Sequence, residues 1–136
     1  MAYYRGWRRN GTKYNAEKSE VDGIKFDSKH EKERYLQLKL LERGNAISDL
    51  RLQVRYELIP NQYAVEKRFG KNGRPLKDNQ VLLEQKCSYV ADFVYVDNRT
   101  GKTVVEDAKS KATRTPEYII KRKLMLWVHG IQIKEV

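Results

Sequence analysis

An acid, one spacer and a lysine stand at the end of an apolar run as Asp107-Ala108-Lys109, and Asp92 interrupts the apolar run before it. On a β-strand this spacing puts carboxylate and ammonium on one face, because side chains alternate with period two. A second carboxylate from the neighbouring strand would complete a pocket for a hard divalent cation beside a fixed positive charge. That is the chemistry of metal-assisted phosphodiester hydrolysis. Asp92 shares its strand face with Val90, Val94 and Val96, where a carboxylate costs several kcal/mol (roughly) to bury unless paired or bound to metal. A salt bridge to Lys109, or an edge position facing water, accounts for it equally well. If the intervening turn is a four-residue loop, Asp97 pairs with Lys102 and Asp92 falls opposite Asp107. Like charges there destabilise a sheet, and a cation removes the penalty. A one-residue slip would send the two acids to opposite faces. Glu31 has two readings. Ser28-Lys29-His30-Glu31 matches a helix capping box, yet Glu31 also lines up with Tyr35 and Leu38 on the stripe facing the sheet.

These residues need elements to hold them. Residues 1–18 carry five cations and one acid with Tyr3, Tyr4, Trp7 and Tyr14 interleaved, which reads as a flexible basic arm. Asp22-Gly23 predicts a short hairpin or an entry strand over 21–26. A helix is expected from Ser28 to about Arg43, ended by Gly44 as a C′ residue, with Tyr35, Leu38 and Leu41 inward and Leu36 and Leu40 thickening that stripe. Leu52 to Ile59 reads as a strand closed by Pro60. Residues 66–80 read as an exposed, flexible basic loop containing Lys67, Arg68, Lys71, Arg74 and Lys77. Tyr89–Val96 and Lys102–Lys109 form a hairpin around the turn Asn98–Gly101. Thr115 caps a second helix with Pro116 at its first position; Ile120, Leu124, Trp127 and Val128 mark its buried face and Gly130 its end. Residues 131–136 form a last strand. Helix, strands, helix, strand predicts an α/β chain with a mixed sheet flanked by helices, in one domain over residues 19–136.

The chain has 136 residues, of which 40% are hydrophobic and 34% charged, and its net charge is +10. That length fits one domain with a real core, and that charge suits a polyanion. One cysteine, Cys87, excludes an intrachain disulfide, and with two histidines it excludes an all-protein zinc site. No apolar stretch approaches the ~20 residues that span a bilayer, and no secretory signal is recognisable. A cytoplasmic protein without membrane contact is expected. Cys87 and His129 read as packing residues.

The order Glu31, Asp92, Asp107-x-Lys109 and then a helix with a basic face resembles the PD-(D/E)XK nuclease superfamily. Phe26-Asp27-Ser28-Lys29-x-Glu31-x-x-x-Tyr35, followed by Gly44, Ile47, Leu50 and Gln53, resembles a family of small phage-encoded members related to Holliday-junction resolvases. The resemblance covers the chain from about Lys13 onward and implies a restriction-endonuclease-like αβββαβ core. It implies an endodeoxyribonuclease using Mg²⁺ or Mn²⁺, acting on branched DNA as a homodimer in the cytoplasm of a phage-infected bacterium. Asp92 and Asp107 would be metal ligands, the carbonyl of Ala108 a third, and Glu31 would sit at the metal directly or through water. Lys109 would orient the attacking water or stabilise the phosphate. Two departures stand out. Ala91 rather than proline precedes Asp92, and the second acid is Asp107 with Glu106 beside it, so a strand bulge would let Glu106 replace Asp107. Gln53 is a weaker candidate for a site contact. Arg5, Arg8 and Arg9 in the arm, Lys67, Arg68, Lys71 and Arg74 in the loop, and Lys111, Arg114, Lys121 and Arg122 near the site are the candidate DNA-binding cations. The alternative is a DNA-binding module without catalysis, its acids and Lys109 forming a structural cluster; an RNA-binding or protein-interaction factor is a third reading.

Overall fold

The computed structural model describes residues 19–136. The expected arm, with Arg5, Arg8 and Arg9, lies outside the described residues. Strands β1 (Ser19–Val21) and β2 (Ile24–Phe26) pair around Asp22 and Gly23, whose φ values of 54° and 76° make the left-handed turn that an Asp-Gly pair favours. Helix α1 (Lys29–Arg43) begins at Ser28, whose hydroxyl accepts the Glu31 N–H at 3.1 Å. Its end differs from expectation. Gly44 keeps φ −81° as the cap residue, and Asn45 takes the left-handed conformation at 57°.

Strand β3 (Ile47–Ile59) starts earlier than its apolar run, because Asp49 at φ 54° lets an irregular first segment stay paired with β6. Then come β4 (Gln62–Glu66), β5 (Asn79–Glu84), β6 (Cys87–Asp97) and β7 (Lys102–Asp107). A short 3₁₀ turn (Lys111–Thr113) leads to α2 (Pro116–His129) and β8 (Lys134–Glu135). The principal sheet has the order β3-β6-β7-β8, antiparallel except for the parallel β7–β8 pair. Without the β1–β2 and β4–β5 hairpins the order is α, β, β, β, α, β. The chain is therefore an α/β protein with a four-stranded mixed sheet flanked by two helices. No helix among the described residues is long and apolar enough to cross a membrane.

The exposed basic loop expected over 66–80 joins β4 to β5, a hairpin whose strands take only its ends, Glu66 and Asn79–Gln80. Three expectations need correction. On α1, only Tyr35 and Leu38 are buried, while Leu36, Leu40 and Leu41 are exposed. On α2, Tyr118 and Met125 are buried and Leu124 half-buried, while Ile120, Trp127 and Val128 are exposed, with Trp127 at 87%. Both helices carry more apolar residues than one sheet face can cover. Which stripe turns inward on α2 follows from its tertiary partners: Arg122 bonds Glu135 at 2.6 Å, and Tyr118 packs beneath Lys109. The last strand is also shorter than the 131–136 run.

The core has two halves. Tyr35 and Leu38 of α1 pack with Phe26, Ile47, Phe93 and Tyr95, and Tyr118 and Met125 of α2 pack with Leu58, Tyr89, Ala91, Val94 and Val105. Period-two alternation would put Tyr89, Ala91, Phe93 and Tyr95 on one face. Instead Tyr89 and Ala91 face α2, whereas Phe93 and Tyr95 face α1. Strand β3 does the same, with Leu50 and Leu52 toward α1 and Val54 and Tyr56 toward α2. The ladder pairs Leu52 with Phe93 and Val54 with Ala91, so both strands reverse their faces between these pairs, at Gln53 and Asp92. Gln53 takes φ 53° there, a left-handed conformation that costs a non-glycine residue about 1 kcal/mol or more.

Candidate active site

The reversal at Asp92 is where the candidate site residues meet. The β6–β7 hairpin pairs Asp97 with Lys102 and Phe93 with Glu106, the register expected for a four-residue turn. One step further along that register Asp92 faces Asp107. There the ladder ends, and Asp92 Oδ2 instead accepts the backbone N–H of Ala108 at 2.9 Å. Asp107 is 2% exposed. Its Oδ2 accepts the Tyr89 hydroxyl at 2.6 Å, and its Oδ1 lies 3.7 Å from the Lys109 ammonium without a hydrogen-bond partner. Lys109 is held over the Tyr118 ring, 4.8 Å from its centroid. Acid and lysine thus share a face as their spacing requires.

The backbone of this motif is pinned on its other side. Val136 N–H donates to the Asp107 carbonyl at 3.0 Å, Lys109 N–H donates to the Val136 carbonyl at 3.1 Å, and His30 Nε2 donates to the same carbonyl at 2.6 Å. His30 therefore ties the start of α1 to the strand edge beside the site.

Glu31 joins from α1. Ser28 supplies the cap, and the Glu31 carboxylate turns away from the helix end to accept Gln53 Nε2 at 3.3 Å. The same amide lies 3.4 Å from Asp92 Oδ1. Gln53 is therefore a bridge between the two acids, a larger part than its sequence position suggested. Burial, then the charges of Asp92 and Asp27, push the Glu31 carboxyl up to about 7 against the opposing pull of Lys109. Burial, then the adjoining Asp92 carboxyl, pushes Asp107 up to about 7 against the pull of Tyr89 and Lys109. Tyr89 itself is raised by burial and by its bond to Asp107, so it stays a donor. Two carboxyl groups held near neutrality mark a site short of positive charge.

Glu106 points to the other face of β7. It is fully buried, bonded by Arg34 at 2.6 and 2.8 Å and by the Tyr95 hydroxyl, with the Lys134 ammonium at 3.6 Å. Burial opposes its ionisation most strongly, yet the bonds from Arg34 and Tyr95 hold it below the usual carboxylate range. No bulge exchanges it with Asp107. A larger cleft on this α1 side, lined by Arg34, Tyr95, Arg99 and Lys134, contains none of the clustered acids.

Among the candidate cations, Lys121 lines the cleft with Asp92, Asp107 and Lys109, paired with Glu117 at 3.2 Å. Arg114 and Arg122 both clamp Glu135, at 2.5 and 2.6 Å, so they bind the last strand rather than stand free toward the cleft. Lys111 is exposed on the 3₁₀ turn, and Lys67, Arg68, Lys71 and Arg74 are exposed at the outer end of the β4–β5 hairpin. Tyr89 and Tyr118 were not anticipated at the site. Each is a tyrosine on an otherwise apolar stripe, and its hydroxyl is the only signal the sequence offers.

Among the described residues, no three acidic, histidine or cysteine side chains form a closed ligand cage. The clustered groups are two carboxylates, with Glu31 held next to Asp92. All are hard oxygen donors, and the buried, unpartnered Oδ1 of Asp107 faces the lysine. That donor set fits Mg²⁺ or Mn²⁺, which keep several waters and need few protein ligands. The profile of a family described as a protein of unknown function, DUF1064, matches residues 11–131. No curated protein and no solved structure matches the chain.

Proposed function

The chain belongs to the DUF1064 family, and we propose that it is a metal-dependent endodeoxyribonuclease of the PD-(D/E)XK type. One observation carries this reading: Asp107 is buried beside Asp92 and Lys109 with an oxygen that no hydrogen bond satisfies. A structural ion-pair cluster would close that oxygen with the lysine at hydrogen-bond distance. Here the ammonium stands back at 3.7 Å and rests on Tyr118.

Asp92 and Asp107 would hold the ion, with Glu31 contributing directly or through water. A bound Mg²⁺ or Mn²⁺ would supply charge neutralisation between the carboxylates and Lewis acidity toward a phosphate oxygen. The protein's own groups have separable tasks. Tyr89 fixes one oxygen of Asp107 and leaves the other free. The Ala108 amide orients Asp92. Gln53 keeps Glu31 beside Asp92, where its carboxylate can accept a proton from an attacking water. Lys109 meets the negative charge that grows on the phosphate, a stabilisation worth most where it increases toward the transition state.

The partner in this reading is DNA, branched in structure, cut by a homodimer in the cytoplasm. Net charge +10 supports a polyanionic substrate, and two symmetric cuts at a junction call for two active sites. The test is cleavage of a labelled four-way junction and a matched linear duplex by wild type and Asp107→Asn, with Mg²⁺ or EDTA. Cuts that need Mg²⁺ and vanish in the variant support the nuclease, and a junction preference supports the resolvase-like class. Binding without cutting under Mg²⁺ and Mn²⁺ would replace it with the non-catalytic module.

A further inference from the structure

Between β3 and β6 the chain leaves the sheet as the β4–β5 ribbon. Its two strands pair with each other, and neither makes substantial contact with another element. Tyr63 lies opposite Leu82 and Val65 opposite Gln80, so Tyr63, Val65 and Leu82 share one face, where they are 51%, 62% and 44% exposed. Two strands alone are marginal in water, so this face has a partner to gain. The tip is hydrogen-bonded within itself. Phe69 bridges Pro75, Gly70 N–H donates to the Arg74 carbonyl at 2.8 Å, and Leu76 N–H donates to the Arg68 carbonyl at 2.9 Å. From Lys67 to Lys77 the tip holds five cations and no acid.

We infer that this ribbon is a duplex-binding arm, which lies in a groove of the DNA away from the phosphate that is cut. The inference rests on the nuclease reading for its choice of DNA. Charge selects the occupant: a run of five cations without an acid repels another copy of the same tip and attracts a phosphate backbone. Shape agrees, since the major groove, roughly 12 Å wide, admits a two-stranded β-ribbon. The apolar face can meet deoxyribose and thymine methyl groups while the tip cations reach phosphates. Lys71, at the tip, precedes Asp92 by 21 residues. At about 3.3 Å per residue the tip lies at most ~70 Å from the acids, or ~20 base pairs along a duplex. The substrate class is therefore branched DNA whose arm continues as duplex beyond the reach of the catalytic site itself.

The test measures affinity against salt for the full chain in EDTA, on four-way junctions with arms of about 8 or about 25 base pairs. It compares wild type with a variant carrying Lys67→Ala, Arg68→Ala, Lys71→Ala, Arg74→Ala and Lys77→Ala. At about 0.9 per neutralised phosphate, the long-arm junction should show a salt slope steeper by roughly four, and the variant should lose that difference. Equal slopes on both junctions, or an unchanged slope in the variant, would overturn the arm, as would failure to bind either junction. A dimer in sedimentation that the five substitutions dissociate without changing the slope would also overturn it and give the ribbon to a second copy. The two readings separate cleanly. A steep slope without cleavage in Mg²⁺ leaves the arm and removes the nuclease, whereas cleavage without arm-length dependence does the reverse.

Discussion

Asp107 combines burial, a like-charged neighbour and a single donated hydrogen bond, and each has a measurable consequence. Asp107→Asn keeps the Tyr89 bond and the side-chain volume while removing the charge. Cleavage should fall by on the order of 10²-fold or more, with near-ultraviolet circular dichroism unchanged. A variant that cuts as well as wild type would take Asp107 out of the site. Gln53 bridges Glu31 and Asp92 from a left-handed backbone, a local strain of the kind that collects at functional sites. Gln53→Ala and Gln53→Gly both remove the bridge, so each should lower activity by about 10-fold or more. Glycine also relieves the conformation. Chemical denaturation should therefore find Gln53→Gly more stable than Gln53→Ala by about 1 kcal/mol. Equal stabilities would mean that the backbone at Gln53 stores no strain.

At the scale of elements, the site depends on how α1 is fastened to β7. Arg34 lies one turn after Glu31 and bonds the buried Glu106, the residue before Asp107. One ion pair thus fixes the two elements that supply two of the acids. Arg34→Ala should cost about 2–3 kcal/mol in denaturation, because it leaves Glu106 buried with only Tyr95 and Lys134. A cost below ~0.5 kcal/mol, typical of exposed pairs, would show that α1 is held by packing alone. Both helix starts and the end of α2 were legible because caps are local chemistry: Ser28, Thr115 with Pro116, and Gly130 at φ 66° act where the sequence places them. The β6–β7 register was legible for the same reason, since its turn fixes it. The inward stripe of α2 was not, because Ile120 and Trp127 are as apolar as the residues that pack. The β4–β5 hairpin was hidden by its own tip, whose glycines, proline and cations read as a loop. The face reversal at Gln53 and Asp92 was hidden because the alternation rule assumes it away, and no glycine marks it. The candidate site was nonetheless readable, since Asp92, Asp107 and Lys109 meet through the turn-fixed register; only Gln53 and the two tyrosines came from the reversal and from packing of α2.

For the whole molecule, these local charges set how stability depends on pH. Asp107 and Glu31 ionise near 7 in the folded chain against ordinary values of 3.8 and 4.5. From about pH 4 to about pH 7 the folded state therefore holds more protons than the unfolded state, and stability falls as pH rises through that window. Glu106 and Glu135 are shifted the other way, through their arginine partners and, for Glu106, Tyr95, against the larger opposing effect of burial. Their contribution is present above the ordinary glutamate value and is lost as pH falls below it. Together they predict a stability maximum near about pH 4 and a loss on the order of 3 kcal/mol by about pH 8, after discounting Glu31 for its contact with solvent. Asp107→Asn should flatten the descending limb and be more stable than wild type at about pH 8, trading activity for stability. A divalent cation should act in the same direction without the substitution. It binds the ionised acids, so Mn²⁺ at about 100 times its dissociation constant should restore roughly 2.7 kcal/mol at about pH 8 and little at about pH 5. Thermal unfolding at both pH values, with EDTA or Mn²⁺, for wild type and Asp107→Asn reads all of these at once. A wild-type midpoint indifferent to Mn²⁺ at the higher pH would mean that the paired carboxylates bind no ion. Equal gains in wild type and variant would place the ion elsewhere on the chain.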